Sequence, residues 1–262
     1  MHLPDYSTTF WVTAVLAVIL VGIAKAGFGG GAGLIATPLL ALTIPVTEAA
    51  ALLLPLLIII DMISVYHYWG KFDRHSIRLM VPSAAVGILI GGLFFGAFSS
   101  NERVLKLGIG LLAVAFVLFQ LFRSQILGQL AGKRPSTTNG IFFSTLAGFT
   151  STLAHAGGPP ATIYLLPQKL PRQLFVGTTV IFFAAVNLIK LIPYSLLGLL
   201  KVGNVTTILI LSPLCYLGVR LGIYLNGRFT DKWFTRLIYT LLFLTGIQLI
   251  LGKSLLDLFV RF

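Results

Sequence analysis

Long apolar runs cut by short polar stretches make up almost the whole chain. The runs fall at about 8–28, 33–44, 48–69, 78–98, 104–122, 139–156, 159–167, 173–193, 204–225 and 233–251. A helix rises ~1.5 Å per residue, so about 20 apolar residues cross a hydrocarbon core ~30 Å thick. Most of the runs meet that length. The runs at 33–44 and 159–167 do not, and each directly follows a glycine-rich break. The first break centres on Gly27-Phe28-Gly29-Gly30-Gly31-Ala32-Gly33. The second is His155-Ala156-Gly157-Gly158-Pro159-Pro160. Irregular backbone inside a membrane persists only where protein or a water-filled cavity satisfies its polar groups. The expected fold is an all-α, polytopic membrane protein with a short helix or re-entrant hairpin at each break.

The pattern repeats. At an offset of 126, Gly22 meets Gly148, Gly31 meets Gly157, Pro45 meets Pro171, Asp61 meets Asn187 and Tyr68 meets Tyr194. After an insertion near Leu196–Lys201 the offset becomes 131, and Pro82 meets Pro213, Gly87 meets Gly218 and Gly91 meets Gly222. The expected organisation is a first membrane repeat over 1–122, a basic linker over 123–138 that is cytoplasmic, and a second membrane repeat over 139–262. The spacings Gly87-x-x-x-Gly91 and Gly218-x-x-x-Gly222 suit close helix packing.

Composition agrees with a membrane class. Of 262 residues, 57% are hydrophobic and 10% charged, with a mean hydropathy of +0.97. The long runs exclude a transmembrane β-barrel, whose strands alternate. The net charge of +12 is read as topogenic rather than as a nucleic-acid footprint. With the N-terminus outside and three spans plus a hairpin per half, the cytoplasmic side holds eleven cations: Lys71, Arg74, Arg78, Arg123, Lys133, Arg134, Lys169, Arg172, Arg228, Lys232 and Arg236. The outer side holds five: Arg103, Lys106, Lys201, Lys253 and Arg261. Parallel repeats give a weaker bias, so the two repeats are expected to be inverted. This count does not separate re-entrant hairpins from five crossings per half. The lone Cys215 excludes a disulfide framework. Met1-His2-Leu3-Pro4-Asp5 lacks a basic n-region, so no cleaved signal peptide is expected.

Ionisable groups inside apolar runs are costly, about 2.5–3.5 kcal/mol each, and face cavities or partners. Here they are Lys25, Asp61, His155, Lys190 and Arg220, accompanied by Asn187 and hydroxyls including Ser151. Lys25 and Lys190 either snorkel to an interface or serve a site. Asp61 is a counter-ion to Lys25 or Lys190, a proton carrier, or one half of a structural pair. Arg220 contacts lipid headgroups or lines the site. His155 and Ser151 are four apart and share a helix face. Helix starts near Gly30–Gly31 and Gly157–Gly158 expose N–H groups and a positive dipole end, which suits a small oxyanion. The expected substrate-binding residues are therefore Lys25, Gly30, Gly31, Ser151, His155, Gly157, Gly158, Asn187 and Lys190, with Asp61 and His155 as proton-coupling or ion-pair groups. Phosphate, carboxylate and sulfonate are not separable on these grounds. No nucleotide-binding loop, metal-ligand cluster, cofactor site or catalytic residue is expected. The expected partners are a small anion and the lipid bilayer, with no nucleic acid; a homodimer is compatible with the pattern.

The sequence resembles the sulfite exporter TauE/SafE family. The resemblance rests on Gly27-Phe28-Gly29-Gly30-Gly31-Ala32-Gly33-Leu34-Ile35-Ala36-Thr37-Pro38-Leu39, on His155-Ala156-Gly157-Gly158-Pro159-Pro160 and on Asn187-Leu188-Ile189-Lys190-Leu191. It implies a bacterial inner-membrane carrier of small sulfur-containing anions such as sulfite, sulfoacetate or other organosulfonates. Asp61, where the second half carries Asn187, makes the half-sites chemically unequal. The expected function is secondary transport, with export the direction the resemblance implies. A passive anion channel and an intramembrane enzyme using His155 are the alternatives.

Overall fold

A computed structural model describes residues 6–28, 33–130, 135–200, 205–226 and 231–252. Among these the chain is all-helical: α1 (Thr8–Phe28), α2 (Ala36–Leu40), α3 (Val46–Tyr68), α4 (Arg74–Phe98), α5 (Glu102–Leu130), α6 (Thr137–Ala154), α7 (Gly158–Leu165), α8 (Arg172–Leu196), α9 (Val205–Leu225) and α10 (Asp231–Leu251). Among the described residues, six helices are long and apolar enough to cross a membrane: α1, α3, α4, the Glu102–Phe122 part of α5, α8 and α9. This is a multi-pass membrane protein.

The local sequence explains where elements start and stop. Pro45 and Pro171 are the N-caps of α3 and α8, with nearly identical backbone angles. A proline there sacrifices no helical hydrogen bond. Asp73 caps α4 by accepting from the Ser76 N–H at 2.8 Å, and Ser136 caps α6 by accepting from the Asn139 N–H at 3.2 Å. Burial would raise the Asp73 carboxyl, but the Ser76 hydrogen bonds prevail and hold it below its usual range.

The two short elements are unequal. α7 starts as its prolines predict, with Pro159 and Pro160 in its first turn. Its counterpart opens as a 3-10 turn over Gly33–Ile35 before the five-residue α2. Thr43 then turns back on α2, its N–H and hydroxyl both donating to the Leu40 carbonyl. Such local bonds compete with helix continuation. α5 also departs from the apolar pattern, continuing past residue 122 to Leu130. Arg, Gln and Leu there are good helix formers, and no proline intervenes before Pro135.

Helices of the two halves interleave. α1 packs on α9, and α4 on α6; α3 meets α8, and α5 meets α10. Repeat-matched glycines sit at the closest crossings. A Cβ on Gly87 would lie 1.8 Å from the Thr145 carbonyl oxygen, and one on Gly222 2.7 Å from that of Ile23. The Gly-x-x-x-Gly spacings therefore serve packing, as expected. Two tyrosines at the repeat offset make equivalent bonds. Tyr68 donates to the Ala26 carbonyl and Tyr194 to the Thr152 carbonyl, each at 2.8 Å.

Candidate functional site

The site forms where α1, α3, α6, α7 and α8 come together. Lys25, in the last turn of α1, is buried. Its ammonium lies 2.5 Å from Asp61 Oδ1 on α3 and 5.6 Å from the Phe183 ring centroid on α8. Asp61 Oδ2 accepts from Asn187 Nδ2 at 2.6 Å. A carboxylate with no exposure thus bridges a cation of its own half and an amide of the other. Both lysines are too deep to snorkel: Lys25 is 7% exposed and Lys190 0%. Of the roles open to Asp61, partner to Lys25 is the one with contact geometry.

Lys190 is held differently. Its Nζ donates to the Ser151 carbonyl and hydroxyl, each at 3.1 Å, and to His155 Nδ1 at 2.7 Å. No carboxylate lies within ion-pair distance of it among the described residues. Its compensation is dipolar, from carbonyls at the C-terminal end of α6.

His155 is the hinge of this arrangement. It ends α6 in the left-handed region, with φ 52° and ψ 29°. Glycine usually fills that position, and a side chain there costs roughly 1–2 kcal/mol. The ring is pinned at both nitrogens. A lysine ammonium only donates, so Nδ1 accepts; a carbonyl only accepts, so Nε2 carries the proton toward the Ala50 oxygen at 3.0 Å. The ring is then neutral. Strain at His155 is sustained because its surroundings over-determine it.

These groups surround a small cavity lined by Lys25, Leu57, Ser151, His155, Gly158, Phe183 and Asn187. Its volume, as space open to a water's centre, is ≈ 20 Å³, room for about one water. At its end, α7 presents its first turn. The two prolines carry no N–H, so the Gly158 N–H is the donor this turn offers. Five of the sequence-derived residues therefore line one cavity: Lys25, Ser151, His155, Gly158 and Asn187. Asp61 and Lys190 stand behind them as partners to lining side chains. Gly157 packs against the Ala147 carbonyl and Phe183 instead of the cavity. Gly30 and Gly31 lie outside the described residues. Arg220 is exposed, away from the site; the site-lining alternative for it is corrected, because its face of α9 points outward from the packed interior.

Two lining residues, Leu57 and Phe183, are apolar and do not stand out singly. The repeat register reveals them, since they are 126 apart and each lies four residues before a site polar group, Asp61 or Asn187. Ser151 and Lys25 are likewise 126 apart, as are Ser64 and Lys190. The two halves thus place their cations on different helices, α1 in one and α8 in the other.

A family model, Sulfite exporter TauE/SafE, matches residues 14–249, nearly the whole chain. The chain belongs to the sulfite exporter TauE/SafE family. That membership places it among membrane transporters of sulfur-containing anions. No curated protein and no solved structure matches it.

Proposed function

We propose that this TauE/SafE member is a secondary transporter that exports a small sulfur-containing oxyanion, such as sulfite or an organosulfonate, across a bacterial inner membrane. One observation carries the reading: two buried lysines flank a cavity, and a single carboxylate answers them. Buried charge is tolerated when paired. An oxyanion in the cavity supplies the missing partner. Lys25, the Ser151 hydroxyl, the Asn187 amide and the Gly158 N–H are the groups within its reach, and Lys190 acts through Ser151 and His155.

The cavity has room for about one water, so taking in a four-atom oxyanion requires the walls to part. Relative motion of two halves does this, and the reading takes them as inverted repeats over 1–122 and 139–262. Paired contacts support inversion. The Asp73 N–H, just past the end of α3, donates to Thr178 near the start of α8 at 2.8 Å. The Val46 N–H, at the start of α3, donates to Glu102 at the start of α5. The end of α3 and the start of its repeat partner α8 therefore share a side. Asp61 and His155 are the groups whose protonation would couple transport to protons.

The test is flux of radiolabelled sulfite in proteoliposomes. A transporter gives saturable uptake and counterflow, and Ser151→Val lowers the initial rate at least tenfold. Linear flux without counterflow would instead establish the channel reading. An unchanged rate in Ser151→Val would reject the site.

A further inference from the structure

The charges around the cavity sum to a small integer, and that sum selects among anions. Lys25 contributes +1 and Asp61 −1, and they touch. Asn187, Ser151 and Tyr194 are neutral. In the loaded state Lys190 is counted as the ammonium that donates to the neutral His155 ring across 2.7 Å, so the pair contributes +1. The helix ends add opposed partial charges, α6 presenting carbonyls and α7 an N–H, so they largely cancel. No other carboxylate, lysine or arginine is within ion-pair distance of these groups among the described residues. The electrically neutral loaded state therefore contains one negative charge.

We propose that the cavity selects monovalent oxyanions, bisulfite or a monovalent sulfonate group, over dianions such as sulfate or fully ionised sulfite. The inference rests on the site reading given above. Excess charge in a medium of low dielectric is expensive, whereas the same excess in water is not. Asp61 is then a specificity-determining residue. It sets the sum by neutralising Lys25, and its repeat partner Asn187, an amide of similar shape, shows what the alternative looks like. Removing the Asp61 charge raises the sum to two and should admit a dianion.

The experiment compares sodium methanesulfonate with sodium sulfate, two tetrahedral anions that keep fixed charge near neutral pH. Binding to the purified full-length protein is measured by isothermal titration at matched ionic strength. Wild type is expected to bind methanesulfonate at least tenfold more tightly than sulfate. Asp61→Asn is expected to reverse the order. Should that variant misfold, the double variant Lys25→Met with Asp61→Asn restores a sum of one, and preference for methanesulfonate returns even if both anions bind more weakly. Equal binding of the two anions by wild type overturns the charge rule, as does an unchanged ratio in Asp61→Asn. A separate arm tests the site itself. Methanesulfonate affinity unaltered by Ser151→Val and by Lys190→Gln overturns the site reading, whatever the ratio of the two anions.

Discussion

Lys25 and Lys190 are both buried lysines, yet the chain treats them oppositely. Lys25 has a carboxylate; Lys190 has only neutral acceptors. Removing one partner of a buried pair leaves the other uncompensated and costs ~3–5 kcal/mol. Lys25→Met should therefore lower the melting temperature markedly. Lys190→Met removes a charge that lacks a partner, so the anion-free protein should melt at the same temperature or higher. That variant should nevertheless lose anion-dependent stabilisation. Thermal melts with and without methanesulfonate check both expectations. A strong destabilisation by Lys190→Met in the absence of anion would mean that the α6 carbonyls already satisfy the ammonium fully. The polar residues of this site were legible singly, from their misplacement in apolar runs. Their pairing was not, because Asp61 had two cations within plausible reach and only the packing of α1 on α3 and α8 decides between them. His155 was legible as a site residue, but not as a left-handed helix end, since nothing in Ala154-His155-Ala156 announces positive φ.

At the scale of elements, the ends of α1 and α6 and the start of α7 are brought to one place. Close helix crossings hold them there. Gly87→Ala would push a methyl into the Thr145 carbonyl at 1.8 Å, and backbone on both sides leaves little room to yield. Overpacking of this kind costs ~1–3 kcal/mol or more, so a fall in melting temperature is expected. Gly108→Ala, where nothing lies within 4 Å of the added Cβ, is the control and should be silent. The tyrosine bonds to Ala26 and Thr152 provide a second test. Tyr68→Phe loses bonds to both Ala26 and Asn226, whereas Tyr194→Phe loses one, to Thr152. At ~1 kcal/mol per bond, Tyr68→Phe should be the more destabilising in chemical denaturation. The long helices were readable from run length alone. The 3-10 opening of α2 and the extension of α5 to Leu130 were not. Helix propensity outlasting hydrophobicity accounts for the second.

For the whole molecule, the two proposed repeats differ chemically at matched positions. The repeat register places Lys25 opposite Ser151, Asp61 opposite Asn187 and Ser64 opposite Lys190, so each half supplies the side chain its partner lacks. Sidedness follows from the same frame. In a Cys215→Ser background, single cysteines at Phe72 and at Ser99, loop positions at opposite ends of α4, should label from opposite faces of right-side-out vesicles with an impermeant maleimide. Ser99 should be the outer one. Labelling of both from one face would contradict the topology.

The central claim is that an oxyanion sits between Lys25, Ser151, Asn187 and the start of α7. Selenite has the shape of sulfite and carries an anomalous scatterer. A crystal structure of the full chain with selenite, phased to locate selenium, addresses the claim in one experiment. The account predicts one selenium peak in this cavity, with oxygens at hydrogen-bond distance, ~2.7–3.2 Å, from Lys25 Nζ and Ser151 Oγ. A fully occupied peak elsewhere in the protein, with this cavity empty, would contradict it.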